Sequence, residues 1–352
     1  MGEIILGLTI RHSFWKRFWP VLPVAVLFVC SVWNWKKENI HQQNAAIQVD
    51  FAMNTVVEYC FYGEEGARAL EQCRQKVSEL EHTLSATWQG SDLERLADGA
   101  GTPVSVSQDT LSVLEQAVRL YEWTGGRFDV TVGPLVQLWG ITSTSPRVPS
   151  QQQIDEILPL VGEQPKMDAQ AGTAWISQGQ QLDFGGIAKG YTCDRLREIC
   201  DRYGVQEGYI SLGGNMMVLE DTTSLFGIRD PLGGEQAYFA SLSLAGTTMA
   251  TAGGYERYFE QDGKRYCHIL DPETGWPAQT DLLSVSVLSQ DGALADALST
   301  ALYLMGREEA MAFLQDCSQV QAVLVDTDRT VWVYGEIPDF SLHDGAGYRL
   351  AS

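Results

Sequence analysis

An apolar stretch from Phe18 to Trp35, with only two polar residues in it, is the feature that most constrains how this chain folds. As a helix it would be roughly 27 Å long, close to the hydrocarbon thickness of a bilayer. A Lys–Arg pair precedes the stretch and a Lys–Lys pair follows it, as at the ends of membrane-spanning helices. We therefore predict a transmembrane anchor over residues 18–35, preceded by a short N-terminal segment, residues 1–17.

The residues in and around this segment predict its orientation and processing. Residues 1–17 carry slightly more positive charge than the first residues after the segment, which favours a cytoplasmic N-terminus and an extracytoplasmic main domain at the cell membrane. A cleaved signal peptide is disfavoured because small residues are lacking before a cleavage point. Lipidation at Cys30 is less favoured than an uncleaved anchor, because Val29 stands where lipoproteins have a small residue. Residues 36–47 are polar and are interpreted as a linker.

The remaining residues, 48–352, are predicted to form one α+β domain, because helical and strand patterns are mixed and no repeat is visible. Apolar residues spaced three and four apart predict a helix over 64–86, and the sequence Ser91–Glu94 is typical of a capping box. The other main predictions are strands over 51–61, 181–184 and 282–289, the last half-buried, and helices over 108–123, 194–203 and 293–305.

Charge and cysteine content exclude several classes of function. The net charge of −21 argues against non-specific nucleic-acid binding, which needs a basic surface. The seven cysteines include no pair with CxxC spacing, so neither a zinc site nor a redox dithiol is indicated. Free thiols are the default prediction, and disulfides stay open because the domain is predicted to lie outside the cytoplasm.

A glycine-rich segment, Asp183–Tyr191, has the sequence DFGGIAKGY. Glycines allow backbone N–H groups to approach phosphate oxygens, and the start of a helix adds favourable potential for an anion. The spacing matches neither the dinucleotide-binding fingerprint nor the P-loop. Alone, the segment is compatible with a phosphate site or with a tight turn that packs a helix on a strand.

The segment Ala295–Gly306, ADALSTALYLMG, predicts a mostly apolar helix with Asp296 and Thr300 on one face. Carboxylate and hydroxyl oxygens are ligands that suit Mg²⁺. A lone carboxylate in an apolar helix is costly to bury unless it is paired or bound to a metal. The alternative for this segment alone is an exposed Asp and a Thr that lines the helix.

One of the five histidines, His268, precedes the turn-forming sequence Asp271–Gly275. The near-neutral pKa of an ordinary histidine suits a general base. A structural role for His268 is the alternative.

Four segments in this order resemble the signature segments of the ApbE family of flavin transferases: Thr124–Gly140 (TGGRFDVTVGPLVQLWG), Asp183–Tyr191, Ala252–Pro277 (with GGYERYFEQDGKRYCHILDPETGWP) and Ala295–Gly306. The resemblance extends over roughly residues 50–335. It implies a single mixed α/β catalytic domain of the T-fold-like ApbE type, with FAD as substrate and Mg²⁺ as cofactor.

The resemblance also implies roles for individual residues. His268 is implied to be the catalytic residue, and Asp296, Thr300 and the main-chain carbonyl of Gly186 are implied to bind Mg²⁺. The implied FAD contacts are Met53, Trp88, Arg127, Phe128, Asp129, Asp183, Lys189 and Ile269. The sequence departs from the family pattern at Asn54, where Gly is usual, at Phe184, where Leu is usual, and at Cys267, where Ser is usual.

The implied activity is transfer of FMN from FAD to a Thr or Ser hydroxyl of an extracytoplasmic flavoprotein, with release of AMP. An FAD pyrophosphatase and a membrane-tethered FAD-binding protein without turnover are the alternatives. The presence of Asp296, Thr300 and His268 favours catalysis over binding alone. Transferase and hydrolase are not separated, because the acceptor is another chain.

The anchor leads to the first testable prediction. Because residues 18–35 are apolar with charged flanks, the full-length protein should sediment with membranes, and a chain that starts near residue 45 should be soluble and active. Fractionation in high salt, with and without detergent, measures this. Release of the full-length protein by salt alone would contradict the anchor.

Overall fold

The structure is a computed structural model that describes residues 45–222, 224–234 and 237–351. The predicted anchor and the N-terminal segment before it lie outside these residues, as do most residues of the predicted linker. Within the described residues, no helix has both the length and the apolar character needed to cross a membrane.

The described residues form strands in chain order as follows: β1 Ala46–Ala52, β2 Thr55–Phe61, β3 Val104–Ser105, β4 Lys166–Asp168, β5 Thr173–Trp175, β6 Gly208–Leu212, β7 Asn215–Val218, β8 Leu225–Arg229, β9 Tyr238–Ser243, β10 Thr248–Gly253, β11 Tyr258–Gln261, β12 Lys264–Cys267, β13 Leu282–Ser289, β14 Gln321–Asp326, β15 Thr330–Tyr334, β16 Ser341–Leu342 and β17 Arg349–Leu350. The helices are α1 Gly66–Leu84, α2 Asp92–Asp98, α3 Gln108–Trp123, α4 Gly133–Trp139, α5 Gln151–Ile157, α6 Ala188–Arg202 and α7 Gly292–Leu314.

A nine-stranded sheet with the order β1-β2-β6-β7-β10-β13-β14-β15-β17 is the centre of the domain. Its pairs are antiparallel except for β15 and β17, which are parallel. Helices α1, α6 and α7 pack on one face through two apolar clusters. A smaller sheet, β16-β9-β8, covers part of the other face through a third cluster. The mixed α+β architecture predicted from the sequence is confirmed.

The covering of both faces corrects the prediction for β13. Its alternating serines predicted a half-buried strand, yet Ser284 and Ser286 are each only 1% exposed. The hydroxyl of Ser286 lies 2.8 Å from that of Thr251 on the neighbouring strand, so this serine is buried with a hydrogen-bond partner. Alternation of apolar and serine residues indicates that the strand has two different faces, but it does not indicate that one face is exposed to solvent.

Local sequence signals located several helices well. The helix predicted over 64–86 is α1, and the one predicted over 108–123 is α3. Ser91 caps α2 by accepting a hydrogen bond from the main-chain N–H of Glu94, as its sequence predicted.

Other boundaries differ from the predictions, each for a local reason. Residues 51–61 form part of a hairpin instead of one strand, because Met53 and Asn54 adopt positive φ angles and turn the chain. Residues 181–184 are not a strand. Helix α6 starts at Ala188, within the glycine-rich segment. In α7 the helical conformation is interrupted at Gly306 (φ 75°), where the sequence predicted the helix end, and a second helical stretch follows the kink up to Leu314.

Helices α6 and α7 cross in direct backbone contact at two glycines. A Cβ atom on Gly190 would overlap the carbonyl oxygen of Gly292, and one on Gly292 would lie 2.5 Å from the carbonyl oxygen of Gly190. Asp194 accepts hydrogen bonds from the main-chain N–H groups of Gly292, at 2.7 Å, and Ala293, at 3.0 Å. The start of α7 is therefore fixed against the first turns of α6.

This crossing should not tolerate a methyl group. Gly190→Ala is expected to lower the free energy of unfolding by about 1–3 kcal/mol, because the added Cβ forces two backbones apart. Urea denaturation of the variant measures the loss. The control is Gly234→Ala, since an added Cβ there meets no described atom within 4 Å. Equal stability of the two variants would contradict the rigid crossing.

Candidate active site

A cavity opens at one end of the strands of the nine-stranded sheet. Its volume is about 700 Å³, a size typical of small-molecule sites. Three turns border it: the β1–β2 turn at Asn54, the β6–β7 turn at Gly213–Gly214, and the chain that follows β10, Tyr255–Arg257. The first turns of α6 and α7 close the cavity from the helical side. The end where the hairpin turns meet is therefore also where both helices begin.

Every residue to which the resemblance gave a role lines this one cavity: Met53, Trp88, Arg127, Phe128, Asp129, Asp183, Gly186, Lys189, His268, Ile269, Asp296 and Thr300. These residues come from six separate parts of the chain, and the fold brings them together.

The carboxylate of Asp296 is buried where α6 and α7 cross, with 4% of the residue exposed. Its Oδ2 accepts a hydrogen bond of 2.9 Å from the main-chain N–H of Gly190, and its Oδ1 lies 3.6 Å from the amino group of Lys189. A Cβ atom placed on Gly186 would lie 3.4 Å from the hydroxyl oxygen of Thr300. The predicted metal ligands therefore belong to one small region of the cavity.

The chemistry of this group fits a hard cation. It offers one carboxylate, one hydroxyl and one main-chain carbonyl, all of them oxygen ligands of the kind that Mg²⁺ prefers. Within the described residues, no group of three or more His, Cys, Asp or Glu side chains is placed to hold a metal ion. The site described above needs no such group, because a hydroxyl and a main-chain carbonyl supply two of its three ligands.

Asp183 and Lys189 organise the glycine turn that leads into α6. Asp183 Oδ1 accepts a hydrogen bond of 2.7 Å from the main-chain N–H of Gly185, and burial raises the pKa of this carboxyl. The amino group of Lys189 donates to the carbonyl of Gly185 at 3.0 Å. Lys189 thus brings a positive charge between the glycine turn and Asp296.

His268 is held by one main-chain carbonyl. Its main-chain N–H donates to the carbonyl of Arg257 at 3.0 Å, and its Nδ1 lies 3.2 Å from the same oxygen. A carbonyl only accepts, so Nδ1 carries the proton in this contact and the lone pair of the neutral ring is on Nε2. Burial lowers the pKa of His268 to about 4, and the charges of Arg257 and Lys189 contribute to the lowering. The near-neutral pKa expected from the sequence is not what this environment gives.

Arg127, Phe128 and Asp129, in the loop after helix α3, differ in their contacts. Arg127 forms ion pairs with Glu309 at 3.1 Å and with Glu273 at 3.7 Å. Phe128 is 4% exposed, and its ring lies beside Gly186. Asp129 accepts through Oδ1 from the N–H and the hydroxyl of Thr131, whereas its buried Oδ2 has no partner among the described residues. One carboxylate oxygen of Asp129 is therefore buried without a hydrogen-bond donor among the described residues.

The remaining predicted contacts border the opening. Trp88 is 47% exposed and stacks on His82 with ring centroids 4.1 Å apart. The N–H of Met53 donates to Glu81 at 2.7 Å, and Ile269 is buried. Asn54, the departure from the family pattern, has φ 58°, a conformation that Asn adopts more readily than most residues other than Gly.

Sequence reasoning missed several residues of the cavity, among them Glu256, Asn215 and Arg229. Glu256 belongs to the segment Ala252–Pro277. In the sequence alone, a Glu in a polar stretch between strands cannot be told from a solvent-exposed side chain. Only the fold shows that it faces the cavity.

Comparison with known proteins gives a consistent result. The model of a family described as the ApbE family matches residues 53–324. The chain is 35% identical over 260 residues to the FAD:protein FMN transferase of Klebsiella pneumoniae, covering 73% of this chain and 82% of that protein. It is 34% identical over 292 residues to the FAD:protein FMN transferase of Treponema pallidum, covering 77% and 80%.

Solved structures share the fold. The ApbE protein from Thermotoga maritima superposes with a TM-score of 0.77 at 30% identity, over 84% of this chain and 97% of that one. The flavinyl transferase ApbE of Pseudomonas stutzeri, in its apo form, gives a TM-score of 0.72 at 26% identity, over 84% and 95%.

The position of His268 predicts its protonation. With a pKa of about 4, the imidazole should stay neutral from pH 8 down to about pH 5. The unfolded chain takes up this proton near pH 6.5, so His268 alone should lower the free energy of unfolding as the pH falls from about 6.5 to 4. An NMR titration of the imidazole signals measures the pKa, and His268→Asn assigns the signal. A midpoint between pH 6 and 7 would contradict this environment.

Proposed function

The chain belongs to the ApbE family, and from that membership we propose that it transfers FMN from FAD to a Thr or Ser hydroxyl of an acceptor flavoprotein and releases AMP. The observation that carries this proposal is the convergence of Asp296, His268 and Lys189 on a single cavity of suitable size. The enzyme is a transferase, and FAD is its substrate.

In the proposed reaction, the acceptor hydroxyl oxygen forms a bond to the FMN-side phosphorus of FAD. The bond from that phosphorus to the bridging oxygen breaks, and AMP leaves with the bond's electron pair. His268 takes the hydroxyl proton through Nε2, which is the ring nitrogen not directed at the Arg257 carbonyl. Because the ring is neutral at physiological pH, no prior deprotonation is needed.

A divalent cation is part of the proposal. Mg²⁺ held by Asp296, Thr300 and the Gly186 carbonyl would offset negative charge on the pyrophosphate. Lys189, which lies beside Asp296, would contribute a second positive charge to the same region. Phe128, Met53 and Trp88 would supply the apolar surface against which a ring system packs.

The proposal includes the location of the enzyme. The catalytic domain would lie outside the cytoplasm, tethered to the cell membrane through residues 18–35, with an extracytoplasmic flavoprotein as its partner. Support comes from the apolar segment and its charged flanks in the sequence. Nucleic acid is not proposed as a partner, since the net charge is −21.

The fate of FMN tests the proposed function. The protein is incubated with FAD, Mg²⁺ and a candidate acceptor that carries a Thr or Ser attachment site. We expect flavin fluorescence on the acceptor in a denaturing gel and AMP in solution. His268→Asn should lower the transfer rate about 10²–10⁴-fold, the usual contribution of a general base, while the affinity for FAD changes little.

The control is His343→Asn, because His343 is exposed and does not line the cavity. Free FMN together with AMP would indicate an FAD pyrophosphatase with water as the nucleophile. Unchanged FAD would indicate a binding protein. Transfer that continues at the same rate in the presence of a chelator would remove Mg²⁺ from the proposal.

A further inference from the structure

Glu256 is a cavity residue to which the proposed reaction gives no role. It follows strand β10, and its carboxylate faces the β6–β7 turn: a Cβ atom on Gly214 would lie 3.1 Å from Oε1. Within the described residues, burial and neighbouring charges shift the pKa of Glu256, and no hydrogen bond to its carboxylate contributes to the shift. The main-chain N–H of Glu256 is used, since it donates to the carbonyl of Gly253.

The charges around Glu256 come from several elements. Burial raises the pKa of Glu256, and Asp296 on α7 also raises it. Lys189, Arg257 and Arg229 act in the opposite direction. These cations are near enough to affect the pKa of Glu256. However, Arg257 donates its hydrogen bond to the carbonyl of Asn54, and Lys189 donates to the carbonyl of Gly185. The carboxylate is therefore left to face the cavity.

A carboxylate only accepts hydrogen bonds, so its partner in the cavity must be a donor. Glu256 is half-buried. A ligand that covers its carboxylate would have to supply a donor, because a charge buried without a partner is costly. The side chains of Lys189 and Asp296 lie in the region proposed for the pyrophosphate. In FAD, hydroxylated sugar chains flank the pyrophosphate on both sides. Vicinal hydroxyls offer two donors for the two oxygens of one carboxylate.

We propose that Glu256 accepts hydrogen bonds from sugar hydroxyls of FAD next to the pyrophosphate and so determines specificity for the hydroxylated nucleotide, an inference that rests on the proposed function. The hydroxyls belong either to the ribose of the AMP half or to the ribityl chain of the FMN half. The chemistry is the same in both, and the experiment separates them.

The experiment compares pairs of ligands that differ only in hydroxyl groups, with the full-length chain in detergent. One pair is ADP and 2′,3′-dideoxy-ADP. The other is FMN and a flavin phosphate with an unhydroxylated five-carbon chain. For each pair, the ratio of the two dissociation constants is measured by calorimetry for the wild type and for Glu256→Gln. Loss of the negative charge changes the affinity for both members equally, so it cancels in the ratio.

In one of the two pairs, the preference for the hydroxylated ligand should fall about tenfold or more in Glu256→Gln, as expected for hydrogen bonds to a charged group. Glu256→Asp, which keeps the charge, should retain part of the preference. The matched control is Glu58→Gln: Glu58 also lines the cavity, but its Oε1 already accepts from the hydroxyl of Tyr209 at 2.8 Å. That variant should leave both ratios unchanged.

If the preference for the hydroxylated ligand falls in the ADP pair, Glu256 binds the ribose. If it falls in the FMN pair, Glu256 binds the ribityl chain. Unchanged ratios in both pairs overturn the inference. Unchanged ratios with a large loss of transfer rate also overturn it, and indicate that Glu256 acts on the acceptor. If the wild type binds neither FAD nor these ligands, the proposed function itself fails, and that result is distinct from equal binding by wild type and variant.

Discussion

The contact between α6 and α7 at Gly190 and Gly292 determines the arrangement of the cavity. Only glycine allows the two backbones to meet there, and the meeting brings the carboxylate of Asp296 within 2.9 Å of a main-chain N–H. A buried carboxylate would be expensive without such a partner. The hydrogen bond and the nearby amino group of Lys189 offset that cost and fix the start of α6 against α7. The glycine turn that precedes α6 is thereby held next to α7.

Much of this fold could be predicted from local patterns, and the misses have physical causes. The period of apolar residues located α1, since this helix has one buried face. The same reasoning failed for β13, because its serines are buried under a second sheet that no local pattern reveals. It also failed for the β1–β2 hairpin, whose turn uses Met53 and Asn54 at positive φ where a glycine would have been the visible signal.

The candidate site divides in the same way. Resemblance selected twelve residues, and the fold brings all twelve to one cavity. What each side chain contacts there was beyond the sequence, because partners come from distant parts of the chain. Arg127 is engaged by Glu309, and Asp129 uses one oxygen to cap a short helical turn. Glu256 gave no signal at all, since a charged residue in a polar stretch is ordinarily solvated.

The cavity carries both signs of charge. Its lining includes four cations, Arg127, Lys189, Arg229 and Arg257, and six carboxylates, Glu58, Glu81, Asp129, Asp183, Glu256 and Asp296. Burial is the main cause of the lowered pKa of His268, and Arg257 and Lys189 lower it further. A bound pyrophosphate is negative, so it opposes the effect of these cations on the imidazole. On the proposed function, bound FAD therefore weakens the part of the pKa lowering that these two cations cause.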